Sequence, residues 1–412
     1  MKPAPKAPPR IALFIPLAAI GYLYLLFLVF SIRRLAEAWS HPASAMSAAA
    51  MLPEGDFARF WYVGKTLVLS RLEILGIHIV PSAWLLQTFK LNLFASSGDT
   101  QFDWIYPPTM NLLAMLASLL PLGTSFFVWD IATLCLAAWL LRLAGLDWKS
   151  ILLGLAGTAS IQNFVMGQNG VLTGGVLAAA LLCLTARPVL AGALAGLLCI
   201  KPPIGFVLPA VLLHTRRVNA LWACGLSVLA LCGLSAILEG WQAWQWYFTI
   251  GRHSAVQVLT TPFQQTFLVA GSTVFFMLRS FNASLAAAYG AQGACGAVAL
   301  ILTWILWRRP THDSVARMAA TLCLASLISP YGYFYDLVGY SIGMAAMAFR
   351  AADRWKPVYA LLWLAPGYSG LLAGITGHIF MPAAIMAGAF MTWREATVPQ
   401  TPPHAHNLAS AE

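Results

Sequence analysis

From residue 11 to residue 32 the chain carries no charged side chain, and an apolar run followed by a short polar turn then recurs along its length. About 20 consecutive apolar residues cross the hydrocarbon of a bilayer as one helix. In lipid every backbone N–H and C=O must find its partner within the segment, so such runs leave a chain little choice but helix. Composition agrees: 60% of the residues are hydrophobic and 9% charged, against about 25% charged in a soluble domain. The expected class is all-α, a polytopic membrane bundle with no room for a large soluble domain.

The positive charge sits at the ends of the apolar runs. Lys2, Lys6 and Arg10 precede the first run and outweigh Arg33 and Arg34 behind it, which puts the N-terminus inside. Arg142, Lys149, Arg187, Arg216, Arg217, Arg308, Arg309, Arg350, Arg354, Lys356 and Arg394 then read as cytoplasmic anchors. A net charge of +10 distributed in this way is not the footprint of a nucleic-acid binder. The seven cysteines lie almost all within apolar runs, without CxxC spacing, and read as small hydrophobes. Residues 1–10 are expected to form a basic cytoplasmic tail and 11–394 the transmembrane domain. Residues 395–412, Pro-rich and carrying His404 and His406, are expected to be a disordered tail. The location expected is the cell (inner) membrane, with several crossings.

Several runs are too short or too interrupted for simple spans. Residues 107–120 amount to about 14 apolar positions, short of a crossing. Runs 151–165 and 171–185 flank Met166-Gly167-Gln168-Asn169-Gly170, a polar break at membrane depth. Runs 188–200 and 204–213 read as a hairpin that does not cross, with Lys201 at its tip. A lysine there costs about 2.5–3.5 kcal/mol unless it is paired or hydrated. It either snorkels to an interface or lines a wet cavity. With clearer spans at 124–141, 220–238 and 285–307, and hairpins at 316–349 and 358–391, the count is about ten to twelve membrane segments, some re-entrant or broken.

Residues 35–106 hold no convincing span and are dense in aromatic side chains, so they are expected to form an ordered cap on the outer face, with amphipathic helices. Within it, Asp56 opens a helical segment in which Phe57, Phe60, Trp61 and Gly64 share one face. This helix is expected to lie flat in the interface with its rings in lipid. Asp56 is either an N-cap with Arg59 as its partner or a working carboxylate.

The span assignment gathers Asp56, Arg59, Tyr106, Gln168, Asn169, Arg252, His253, Tyr333 and Asp336 on the outer side, with Lys201 at intermediate depth. Ionisable groups at such depths are functional candidates by default. A carboxylate, several cations and exposed rings suit sugar transfer from a lipid-linked phosphate to a hydroxyl. The acid takes the acceptor's proton, and the cations hold the phosphate. A transporter or a lipid-linked sugar flippase would also use a wet cavity with buried charge. That reading predicts polar residues through the full depth, open to both faces.

Five stretches carry a resemblance: GDFARFWYVG, YPPTMNLLAMLASLLPL, MGQNGVLTGG, LAGALAGLLCIKPPIGFVLPAVLL and ISPYGYFYDL, in that order over most of residues 56–340. In these the chain resembles glycosyltransferase family 87, the polyprenol-phosphate-mannose-dependent membrane transferases with the GT-C fold. The resemblance implies a polyprenyl-phosphate hexose donor, a lipid or glycan acceptor, and inverting transfer at the extracytoplasmic face. It implies that Asp56, in the first outer loop, is the catalytic base. Arg59, Lys201, Arg252 and His253 would then face the phosphate, and Tyr106, Gln168, Asn169, Tyr333 and Asp336 the substrates. Mannose-transferring relatives often follow the Ser-Pro pair with Trp and two His. Here Tyr331 to Asp336 stand in that place, which leaves the sugar open. No Asp-x-Asp occurs in the loop around Asp56, so neither a metal nor another cofactor is expected.

Overall fold

The computed structural model describes residues 10–40, 55–74, 104–215, 217–263, 266–309 and 313–397. Among these residues every regular element is a helix, apart from an isolated antiparallel bridge between Gly271 and Tyr333. Five helices are long and apolar enough to cross a membrane: Ile15–Arg33, Leu122–Leu143, Val218–Glu239, Leu285–Arg308 and Asp353–Thr376. Five shorter apolar helices accompany them: Pro108–Ala117, Gly170–Cys183, Pro188–Ile200, Pro202–Thr215 and Ser314–Ala325.

The apolar side chains of the long helices face outward. Only 6% of the Val218–Glu239 window is buried, and Trp222, Leu226, Leu229 and Ile237 are largely exposed. Water would not tolerate a contiguous patch of that kind, whereas lipid solvates it. The short helices occupy the inside. Gly170–Cys183 is buried along almost its whole length. Pro108–Ala117 has 10 residues, which at 1.5 Å per residue is about half the hydrocarbon thickness. The backbone carbonyls at its end have protein partners: the Ser125 hydroxyl donates to Ala117 O, Lys65 Nζ to Ser118 O and Trp61 Nε1 to Leu120 O.

The basic ends expected on one face do meet. Arg187 Nη1 donates to Leu143 O at 2.9 Å, and Arg350 Nη2 pairs with Asp313 Oδ2 at 2.9 Å. Asp147 caps Trp148–Leu155 by accepting from Ser150 N–H at 2.9 Å.

Several boundaries differ from expectation. The first helix runs Arg10–Ser40, past residue 32, because the segment beyond Arg34 is rich in helix formers and a helix need not stop where the lipid does. The apolar run 151–165 is two helices, Trp148–Leu155 and Thr158–Met166. The last helix, Met381–Thr397, enters the stretch expected to be a disordered tail. Of the cysteines, Cys183 and Cys323 are buried but Cys135 is exposed, and all seven are free thiols. Residues 1–9, the parts 41–54 and 75–103 of the outer cap (Trp84 and Phe102 included), and 398–412 with His404 and His406 lie outside the described residues.

The helix that opens at Asp56, Gly55–Ile74, corrects the sequence reading most. Its rings are inside the protein, not in lipid: Phe57 is 0% and Phe60 2% exposed. Phe57 meets Phe126 edge-on at 5.7 Å, and Phe60 meets Trp104 at 5.6 Å and Tyr106 at 5.3 Å. Trp61 Nε1 donates to Leu120 O at 2.7 Å. Gly64 lets the backbone close on Pro108–Ala117, since a Cβ there would overlap the Ala114 carbonyl. Edge-to-face ring contacts reward this packing beyond the area they bury, and lipid offers no such geometry. The helix is thereby clamped with Asp56 at its buried end.

Candidate active site

The site is built on the break between Thr158–Met166 and Gly170–Cys183. Gly167 ends the first helix in the left-handed region, at φ 61°. A side chain there would be strained, and it would collide with Phe57 and Phe126. Asn163 ties the two sides of the break together. Its Nδ2 donates to Gln168 O at 2.8 Å and its Oδ1 accepts from Val171 N–H at 3.0 Å. Trp129 Nε1 also donates to Gln168 O, at 3.2 Å. The backbone at Gln168 and Asn169 is thus held from both directions, and their side chains are left for other work.

The two neighbouring amides hold opposite charges. Gln168 Nε2 donates to Asp56 Oδ2 at 2.8 Å, and Asn169 Oδ1 accepts from Lys201 Nζ at 2.9 Å. Lys201 sits where Leu198–Ile200 gives way to Pro202–Gly205 and is 5% exposed. Its ammonium pairs with Asp336 Oδ1 at 2.5 Å and lies 5.7 Å from the Tyr106 ring and 5.5 Å from the Tyr335 ring. The cost of burying a lysine is therefore met by a carboxylate, an amide oxygen and two ring faces. Asp336 is itself fixed, because its Oδ2 accepts from Tyr333 N–H at 3.2 Å in the first turn of Phe334–Leu337.

Tyr106 links the carboxylate side of the cluster to the cation. Its hydroxyl donates to Gln168 Oε1 at 3.0 Å while its ring faces Lys201. Burial, and then the negative charges of Asp336 and Asp56, push this phenol well above its ordinary pKa. Burial and the same two carboxylates raise Tyr335 likewise. Both phenols stay protonated near neutral pH, so the acceptors available for a proton in this cluster are the carboxylates. A small open pocket, of about 50 Å³, adjoins the ion pair. Lys201, Asp336, Ser272, Ser329 and Tyr331 line it, with Leu177 and Leu322 among its apolar walls.

Of the residues singled out from sequence, Asp56, Tyr106, Gln168, Asn169, Lys201 and Asp336 form one network of contacts, with Tyr333 joined through its backbone. Arg59 lies one turn from Asp56 on the same helix, half-buried. Arg252 and His253 open the helix Arg252–Thr260 and are exposed. Among the described residues no hydrogen bond, ion pair or ring contact ties either of them to the cluster. Lys201 is a cation that these contacts tie into the cluster. Three members were not anticipated: Asn163, Trp129 and Tyr335. Asn163 carried a signal, an amide inside an otherwise apolar run.

No curated protein and no solved structure matches the chain. The model of glycosyltransferase family 87 matches residues 104–330. That stretch contains Tyr106, Gln168, Asn169 and Lys201 and lies between Asp56 and Asp336, which complete the cluster from outside it. The chain belongs to glycosyltransferase family 87.

Proposed function

We propose that this membrane glycosyltransferase moves a hexose, mannose or a close relative, from a polyprenyl-phosphate donor to an acceptor hydroxyl on a lipid or glycan. The reaction takes place at the extracytoplasmic face, in a GT-C-type helical architecture. The observation that carries this reading is the division of labour between adjacent residues: Gln168 holds Asp56 and Asn169 holds Lys201. An acid and a cation are thereby held by two adjacent residues of the chain, in a mostly buried cluster beside a pocket that Lys201 and Asp336 line.

In this reading the acceptor oxygen attacks the anomeric carbon and its proton passes to Asp56. The bond from the anomeric carbon to the phosphate oxygen breaks on the opposite face. The electron pair leaves on the phosphate, and configuration inverts. Lys201 has three N–H donors, of which Asn169 and Asp336 use two, and the ammonium stabilises the charge that develops on the leaving phosphate. Asp336 holds that charge in place until the donor arrives and shares it afterwards.

The test is transfer by purified protein from a panel of radiolabelled polyprenyl-phosphate sugars, wild type against Asp56→Asn. Loss of transfer by a factor of about 10²–10⁴, the usual contribution of a general base, is expected with one donor class. Full transfer by the Asp56→Asn protein would remove the mechanism.

A further inference from the structure

Glu239 ends the long helix Val218–Glu239 and is a buried carboxylate, 8% exposed. The scheme above does not use it. Its Oε2 accepts from Asn111 Nδ2 at 2.5 Å. Asn111, 3% exposed, in turn accepts through Oδ1 from Trp104 Nε1 at 2.8 Å. The Trp104 ring lies 5.0 Å from the Tyr106 ring and 5.6 Å edge-on from Phe60. Tyr106 is the residue that reaches both Gln168 and Lys201.

We infer that Glu239 is a positioning residue, which acts through Asn111 and Trp104 to fix Tyr106 between the acid and the cation. The orientation of Asn111 follows from which groups can donate. An indole N–H can only donate, and an amide donates or accepts depending on which way it is turned. Asn111 turns its oxygen to Trp104 and its NH₂ to an oxygen of Glu239, the arrangement in which indole, amide and carboxyl oxygen are all satisfied.

The other oxygen, Oε1, is buried without a hydrogen-bond partner. A buried acceptor left unpaired is costly, and a leucine of similar size would fill the helix end without that cost. What the carboxylate adds beyond filling space is the orientation of Asn111.

The inference rests on the reading of Asp56 and Lys201 as the transfer site, and two measurements separate the two claims. The first follows Trp104 directly in protein labelled with 5-fluorotryptophan, its ¹⁹F resonance assigned with Trp104→Phe. Glu239→Leu is expected to shift that resonance, and Glu239→Gln, which still offers Asn111 an oxygen, to leave it near its wild-type position. An unmoved resonance in the leucine variant overturns the inference whether or not the protein transfers sugar. A moved resonance in a wild-type protein that transfers nothing supports the positioning chain and overturns the functional reading alone.

The second is a double-mutant cycle in the transfer assay. Residues coupled through one network give non-additive losses. Glu239→Leu is expected to lower kcat by about tenfold with little change in donor KM, and Glu239→Gln to restore it to within about threefold. In a Tyr106→Phe background the leucine substitution should cost no more than about twofold further. Additive losses, or a glutamine variant as poor as the leucine one, overturn the inference. Should the leucine variant fail to fold, Trp104→Phe cuts the same chain at its other end. The same non-additivity with Tyr106→Phe is expected of it, and additivity overturns the inference there too.

Discussion

Asp336→Asn is the substitution whose sign says most about the site. The Lys201 and Asp336 side chains are 6% and 10% exposed, so water does little to screen either charge. Removing one partner of such a buried pair costs about 3–5 kcal/mol, because the other charge is left uncompensated. Asn169 still accepts from Lys201, which puts the expected loss at the lower end of that range. The ligand-free variant should therefore unfold at a lower temperature than wild type. A phosphate that binds Lys201 supplies the missing negative charge. Polyprenyl phosphate should then raise the unfolding temperature of Asp336→Asn by more than it raises that of wild type, where Asp336 competes for the same ammonium. Adding Lys201→Met to Asp336→Asn removes the second charge and should recover most of the lost stability, while abolishing the response to lipid phosphate. The assay is thermal unfolding of purified protein at fixed detergent, with and without polyprenyl phosphate. An equal lipid-induced shift in wild type and Asp336→Asn would refute the claim that carboxylate and phosphate share one cation. A double variant no more stable than Asp336→Asn would refute the electrostatic account of the pair.

Three further outcomes follow from the same geometry. Gly167→Ala must hold an L side chain at φ 61° against Phe57 and Phe126; it should lose at least about 1–2 kcal/mol, seen as a lower unfolding temperature, and transfer with it. Gln168→Leu takes the donor from Asp56 and leaves the Tyr106 hydroxyl buried without its acceptor, a loss of about 1–3 kcal/mol, and transfer should fall well beyond what the loss of folded protein explains. Asp147→Ala removes a helix cap worth about 0.5–2 kcal/mol at neutral pH. Partial burial pushes the Asp147 carboxyl up, but hydrogen bonds from Ser150 outweigh it and hold it below its ordinary value. The cap's contribution is therefore fully present above the usual aspartate range and is lost as pH falls through the lower folded value. The stability gap between wild type and Asp147→Ala should close below about pH 4.

The sequence reveals what is anomalous for its surroundings. Lys201, Gln168 and Asn169 interrupt apolar runs, and a polar group at that depth has to be paired, so their meeting was legible without coordinates. Asp56 and Asp336 were legible as acids at the mouths of such runs. Other features looked alike under two interpretations. Helical periodicity marked Phe57, Phe60 and Trp61 as one apolar face, but periodicity does not say whether lipid or protein covers it. Here the covering is Phe126, Trp104 and Tyr106. Arg252 and His253 follow a stretch rich in aromatic residues, Trp241, Trp244, Trp246 and Tyr247, where basic residues occur as interface anchors as readily as in a binding site. The hydrogen-bond chain from Trp104 through Asn111 to Glu239 joins positions 128 residues apart at its second link, and no local pattern carries that information.

The division between Gln168 and Asn169 also explains why the break in the helix is worth its cost. An unbroken helix would turn successive side chains about 100° apart and offer no reason for both to face the substrate. It would also need no glycine in the left-handed region. Breaking the helix at membrane depth exposes backbone groups that lipid cannot satisfy, and Asn163 and Trp129 supply partners for those at the break. In exchange, two adjacent residues hold opposite charges through their side-chain amides. Asp56 and Lys201 reach in from separate elements, and the one turn couples them. In the proposed displacement the base and the leaving-group partner work on opposite faces of one carbon at fixed separation, and a shared turn restrains the shift of either relative to the other.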